Sequence, residues 1–258
     1  MKRVLLWLTL MASVACAQQV ITKGQSAVIT HVVDGDGWQT WMTLSNLDAT
    51  PSQYIVFFFK EDGTPLPLTT NQTITGNGTF VYGTLPPNGA VTIKTPGTSA
   101  TLTEGWAKVQ TVFNIPGGGV APGATIAGSS LFLRPQSVSR PTETSEPLDF
   151  SQAKRWAFPF DHTNGYTTGL ALLNQSNATG IVTITFYDEN GVVLLAVPPF
   201  NMVSGQHSAI TLTTAPAFSS VIGAKGTVVI QTTAPSINVL GLRTSPAGDV
   251  SGISLTSW

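Results

Sequence analysis

The stretch HVVDGDGW, His31 to Trp38, places one histidine, two aspartates and two glycines within a short run. Carboxylates so spaced, helped by a carbonyl, can hold calcium, and a histidine beside them can move protons. An EF-hand loop also needs a bidentate glutamate at its twelfth position. Counted from Asp34 that position is Ser45, and with Asp36 taken as fifth it is Thr43. The stretch can therefore support only a looser calcium site, on Asp34 and Asp36. The competing reading is a Gly/Asp turn that launches a strand, with Gly35 and Gly37 at positive φ.

Other chemistry is thinly represented. The histidines are His31, His162 and His207, and no G-x-S-x-G elbow, H-E-x-x-H helix or P-loop accompanies them. Carboxylate pairs for glycoside hydrolysis could come from Glu61-Asp62 and Asp188-Glu189. Both pairs run straight into turn residues, Gly63 and Asn190-Gly191, so turn formation explains them better. No catalytic residue is assigned, and the chain is read as a non-enzyme.

The elements that would position these residues come in two copies. GWQTWMTLSNLDATPSQYIVFFFKEDGTPL, from Gly37, overlays GYTTGLALLNQSNATGIVTITFYDENGVVL, from Gly165, without a gap. Gly37, Thr40, Leu44, Asn46, Phe58, Glu61, Gly63 and Leu66 meet identical residues, and Trp38 meets Tyr166. Further on, GWAKVQT from Gly105 matches GTVVIQT from Gly226, and Arg134 pairs with Arg243. The first copy carries two insertions, one between Pro65 and Gly89 and one over Ile115–Ala124.

Period-two patterning in IVTITFY and TVVIQT, with turn signals such as EDGTP and DENG between runs, predicts strands. The expected fold is all-β: two tandem antiparallel immunoglobulin-like β-sandwich domains related by an internal repeat. They cover residues 18–150 and 151–258. Gln136–Leu148 resembles a Pro/Ser/Thr linker, but its counterpart in the second copy reads as a turn and a final strand. It is therefore the last hairpin of the first domain, and the connector is only Asp149–Lys154.

The two copies differ on one strand face. Thr183, Thr185 and Tyr187 point away from the core in the second copy, where the first has Ile55, Phe57 and Phe59. Trp41 likewise replaces Gly169. Something must cover this apolar surface. The favoured covers are the inserted segment Thr69–Leu85, carrying Phe80, Val81 and Tyr82, or the second domain; a partner molecule is the alternative. Trp41, Tyr82 and Trp106 are further candidates for stacking on sugars.

The charge balance excludes some partners. The formal net charge is -1, charged residues make up 10%, and no Lys/Arg cluster follows Lys2-Arg3. Nothing points to nucleic acid. The basic start, the apolar run from Val4 to about Val14 and Ala15-Cys16-Ala17 read as a secretory signal over residues 1–17, cleaved before Gln18. A lipid anchor on Cys16 fits less well, because Ser13 stands where leucine is usual. No later run is long enough to span a bilayer. With Cys16 removed, no disulfide or thiolate metal site is available.

These motifs, HVVDGDGWQT, TLPPNGAVTIKTPGT and LTEGWAKV in the first copy and FPFDHTNGYTTGLALLNQSNATG, GQHSAITL and VLGLRTSPAGDVSGI in the second, resemble a recurrent group of secreted tandem β-sandwich proteins from acidobacteria. The resemblance covers nearly the whole mature chain and brings no catalytic residue with it. The group's opening run is DGGGW, so Asp36 is particular to this chain. The resulting expectation is a secreted, non-catalytic binding or structural module at the cell surface or in the extracellular matrix, adhesive or carbohydrate-binding. Its partner would be a protein or glycan surface or another copy. A fibre subunit assembled by donation of the strand in QQVITKGQSAVITHV is the rival, and a secreted hydrolase is third.

Overall fold

The computed structural model describes residues 20–21, 25–72, 74–75, 78–115, 118–134, 142–151, 153–213 and 216–258. The signal sequence read in residues 1–17, with Cys16, lies outside the described residues. The N-terminal half supplies β1 (Val20–Ile21), β2 (Ser26–Asp34), β3 (Gln39–Asn46), β4 (Ser52–Lys60), β5 (Ile74–Thr75), β6 (Phe80–Leu85), β7 (Ala90–Lys94), β8 (Thr103–Gln110), β9 (Ile126–Arg134) and β10 (Thr142–Pro147). The C-terminal half supplies β11 (Arg155–Asp161), β12 (Thr167–Leu173), β13 (Gly180–Asp188), β14 (Val193–Met202), β15 (His207–Thr211), β16 (Lys225–Thr232), β17 (Asn238–Thr244), β18 (Val250–Gly252) and β19 (Thr256–Ser257).

These strands form four antiparallel sheets, two per half. Sheet I runs β2-β8-β4-β6-β5, and sheet II runs β7-β3-β9, with β10 and the short β1 sharing the far side of β9. Sheet III runs β14-β13-β16-β11-β19 and sheet IV runs β15-β12-β17-β18. Period-two alternation sends every second side chain to a shared interior. Ile29, Val56 and Phe58 of sheet I meet Met42, Leu44 and Phe132 of sheet II. Val182, Ile184 and Phe186 of sheet III meet Leu170, Leu172 and Val239 of sheet IV. The inward faces expected for β4 and β13 are the ones observed.

Irregular backbone is satisfied alike in both halves. Asn46 Nδ2 donates to the carbonyls of Thr50 and Pro86, and its Oδ1 accepts from Asp48 N–H. Asn174 does the same with the carbonyls of Ala178 and Met202 and with Ser176 N–H. Gly105 lies against the Phe59 carbonyl and Gly226 against the Tyr187 carbonyl, each so closely that a Cβ would overlap the oxygen.

The segment between Pro65 and Gly89 behaves differently from expectation. It does not fold over the face of sheet I. β6 pairs directly with β4, Phe57 opposite Phe80 and Ile55 opposite Tyr82, and β5 extends the sheet further. Its rings therefore widen the apolar face rather than cover it. β10 pairs antiparallel with β9 from Thr142 to Pro147, the pairing that a last hairpin over Gln136–Leu148 requires, and the residues between these strands lie outside the described ones. The N-terminal strands are also taken: β1 pairs with β9, and β2 with β8, within the same chain.

The second half covers part of the outer face of sheet I. Phe59 stacks on Trp106 with centroids 4.2 Å apart, and this pair packs with Val28 and Leu173. Trp106 Nε1–H donates to the Gly205 carbonyl at 3.0 Å, and His207 N–H to the Glu61 carbonyl at 2.8 Å. The connector is tied down as well. Asp149 exchanges two backbone hydrogen bonds with Val28, and its Oδ2 accepts from Asn238 Nδ2 at 2.6 Å.

Gly105→Ala and Gly226→Ala should each destabilise the chain by about 1–3 kcal/mol, because a backbone carbonyl cannot move aside without breaking its ladder. Urea denaturation checks this, with similar losses expected at the two sites.

Candidate functional site at the joint between the halves

The joint is built from an irregularity in β2. Ile29 pairs with Ala107 and Val32 with Gly105, so β2 holds one residue too many between them, a β-bulge at Thr30-His31. Both residues' N–H groups turn to the carboxylate of Glu146 on β10. Thr30 N–H donates to Oε1 at 2.7 Å and His31 N–H to Oε2 at 3.3 Å. Glu146 is only 3% exposed. Burial pushes its carboxyl up to about 8, against the pull of these hydrogen bonds.

The bulge presents the His31 ring to the second half. His31 Nδ1 lies 3.3 Å from His207 Nε2, with the rings near-parallel and their centroids 5.3 Å apart. One nitrogen must donate and the other accept, so the accepting ring is neutral in this contact. Burial lowers His31 to about 4. Burial, and then the neighbouring His31, lower His207 to about 3. The far nitrogens face carboxylates beyond hydrogen-bonding distance: His31 Nε2 is 3.9 Å from Glu104 Oε1, and His207 Nδ1 is 4.0 Å from Glu61 Oε1. Burial and the charge of Glu61 raise the Glu104 carboxyl.

Two clefts, of about 210 and 290 Å³, flank this cluster. His31, Glu104, Gly169, Thr211 and Leu242 line both. Trp38 and Phe132 add ring walls to the smaller one. A histidine and a carboxylate thus share a cleft, as acid–base chemistry would require. His31 Nδ1, however, is committed to His207.

The structure separates the two aspartates of the opening stretch. Asp34 Oδ1 accepts from Gly97 N–H at 2.8 Å, whereas Asp36 Oδ2 accepts from Arg134 at 2.9 Å. Asp36 sits at φ 49° and Gly35 at φ 96°, with Thr101 O occupying the place of a Gly35 side chain. The loop is thus a tight turn. In the second half Arg243 pairs with Asp161 at 3.0 Å and lies 3.8 Å from the Tyr166 ring centroid, as Arg134 lies over Trp38 at 5.9 Å. Asp36 is thus an arginine partner. Among the described residues no group of three or more His, Asp or Glu is placed to hold a metal ion.

The aromatic candidates divide. Trp106 is 5% exposed and locked in the joint with Phe59, so it offers no free platform for a sugar. Trp41 lies on the outer face of sheet II, its ring covered by Lys94 Nζ 3.6 Å from the centroid. Ile55 is buried, and Phe57, Phe80 and Tyr82 remain half-buried on the face of sheet I beyond the joint. The acidic turns are structural: Asp62 caps Thr64, and Asp188 caps Asn190 and Val192.

Sequence reasoning missed the His31–His207 contact and the role of Glu146. The available signal was polar residues in otherwise apolar or alternating strands, His31 within AVITHVV and Glu146 within TETSEP. No family model and no curated protein matches the chain.

The cluster sets the pH dependence of stability. The histidines' folded values are depressed, so their contribution is present above about 6.5 and is lost as pH falls toward 4 and 3. Glu146 is raised, so its contribution is present below about 4.5 and is lost as pH climbs through 8. Thermal stability should peak near pH 6.5 and decline toward pH 8 by about 1.4 kcal/mol per pH unit. Glu146→Gln should flatten the alkaline limb and leave the acid limb, as calorimetry across pH 4–9 would reveal.

Proposed function

We propose that this chain is a secreted, non-catalytic binding module of two tandem immunoglobulin-like β-sandwiches that arose as copies of one domain. Several matched details support the duplication. The order β2-β8-β4-β6 in sheet I has its counterpart in β11-β16-β13-β14, and β10-β9-β3-β7 in β18-β17-β12-β15. Asn46 and Asn174, Gly105 and Gly226, and the two Arg–Asp pairs over Trp38 and Tyr166 hold matching places in the two orders.

One observation carries the binding reading. Among the described residues, part of the outer face of sheet I is not taken by the joint. Phe57 and Phe80 are register partners with ring centroids 5.6 Å apart, beside Lys108. Ile55, Tyr82 and Gln110 form the next row. Rings flanked by an ammonium and an amide suit a sugar, whose apolar face can stack while its hydroxyls hydrogen-bond. A glycan surface is therefore the favoured partner. The fibre reading draws less support, since β1 and β2 are paired within their own half. The hydrolase reading would have to use His31 and Glu104, which stand 3.9 Å apart.

Passed over immobilised cellulose, chitin and xylan, the mature chain should be retarded on at least one. Phe57→Ser and Tyr82→Ser should each weaken that binding about tenfold or more, a loss of about 1.4 kcal/mol, in chains that circular dichroism shows to be folded at the assay temperature. A chain that flows through every glycan column unretarded sinks the glycan reading. Expression of the full sequence in a secreting bacterial host should yield exported protein whose mass begins at Gln18. Retention of residues 1–17 in the cytoplasm would count against secretion.

A further inference from the structure

We propose that the joint between the halves is an acid-operated latch: closed while His31 and His207 are both neutral, and opened when protons charge them, each sandwich remaining folded. The geometry carries the inference. The rings meet nitrogen to nitrogen at 3.3 Å across the joint, one from each half. One shared proton satisfies that contact. A second proton on the first ring leaves an imidazolium that can still donate. A proton on the other ring as well sets two N–H groups against each other, and no hydrogen bond can form between them.

The surroundings do not compensate a charge there. Four acidic groups lie around the pair. Glu104 on β8 and Glu61 after β4 are 3.9 and 4.0 Å from the far nitrogens, too distant to accept a hydrogen bond without movement. Glu146 on β10 is held by the Thr30 and His31 amides. Asp149 in the connector lies beside Glu146 and is bonded to Asn238. Among the described residues, buried His207 Nδ1 has no hydrogen-bond partner. Glu104 works in the opposite direction, because burial favours its protonated form in the closed joint. Opening wets both rings and returns them to ordinary histidine behaviour.

The polar links across this part of the joint are few enough to report on it. The His207 amide is bonded to the Glu61 carbonyl in the other half, so its hydrogen exchange reads the latch directly. A ring near 4 in the closed state and near 6.5 in the open one takes up a proton on opening. Between pH 7.5 and pH 5 that ring alone lowers the protection factor of the His207 amide about 30-fold, and His207, lowered to about 3, adds a comparable factor, so the fall should reach several hundred-fold, while amides of Phe58 and Phe186 in the two cores keep theirs. His31→Gln should cut that fall to about 30-fold or less, because only His207 then takes up a proton on opening. Protection that does not change with pH, equal losses at the core amides, or the same fall in His31→Gln would each overturn the latch. Should His31→Gln not fold, imidazole NMR titration of the wild-type chain decides: midpoints well below 6.5 support the latch, and ordinary midpoints overturn it. None of these readouts depends on any glycan.

Discussion

The two N–H groups of the β2 bulge, and the buried carboxylate of Glu146 that accepts them, are the interaction from which the joint follows. An extra residue in a strand leaves amides outside the ladder, and buried amides without partners are costly. Here they bond to a side chain of β10. The bulge keeps Ile29 and Val32 both facing the core although they are three apart, and it turns His31 toward the second half. The chain leaving β10 returns at once to β2, where Asp149 bridges Val28 and reaches Asn238. One carboxylate thereby fixes the direction of an imidazole and the path of the connector. The buried acid and the buried histidines then pull stability in opposite directions with pH.

The two halves agree most closely where the backbone leaves little choice. A glycine is needed wherever a neighbouring carbonyl fills the Cβ position, and Gly105 and Gly226 meet that need opposite Phe59 and Tyr187. The corner after β3 and β12 needs a side chain that donates to two carbonyls and accepts one N–H, which an amide of the length of Asn46 and Asn174 supplies. An arginine stacked over the Gly-aromatic pair needs a counter-charge. The two halves supply it from different loop positions, Asp36 and Asp161. That difference explains why the aspartates could not be matched by overlaying the sequences while the glycine and the ring could.

Much of the fold was therefore legible, and the joint was not. The strand faces on β4 and β13 follow from alternation, and the pairing of Thr142–Pro147 with β9 from comparing one half of the sequence with the other. The fate of the segment around Phe80 did not follow. Rings at alternate positions can pair beside a strand or fold over it, and only the register Phe57–Phe80 decides. Asp34 and Asp36 resembled a shared ion site because their separate partners, Gly97 and Arg134, lie far along the chain. His31 and His207 are 176 residues apart, and neither is repeated in the other copy, so no periodicity could bring them together.

The differences between the halves also bear on which faces can form a joint of this kind. The joint sets an aromatic outer face, Phe59 and Trp106 of sheet I, on a face of smaller side chains, Ala171 and Leu173 of sheet IV. Any other contact of the same kind would need those two faces again. The outer face of sheet III offers Thr183, Thr185 and Tyr187 in place of Ile55, Phe57 and Phe59. The outer face of sheet II carries Trp41, clamped under Lys94, where sheet IV has Gly169. One free face lacks the apolar side chains that dock, and the other has its seat filled by an indole ring. The same substitutions that make the joint apolar on one side and accommodating on the other make these two outer faces unlike the faces that meet in it.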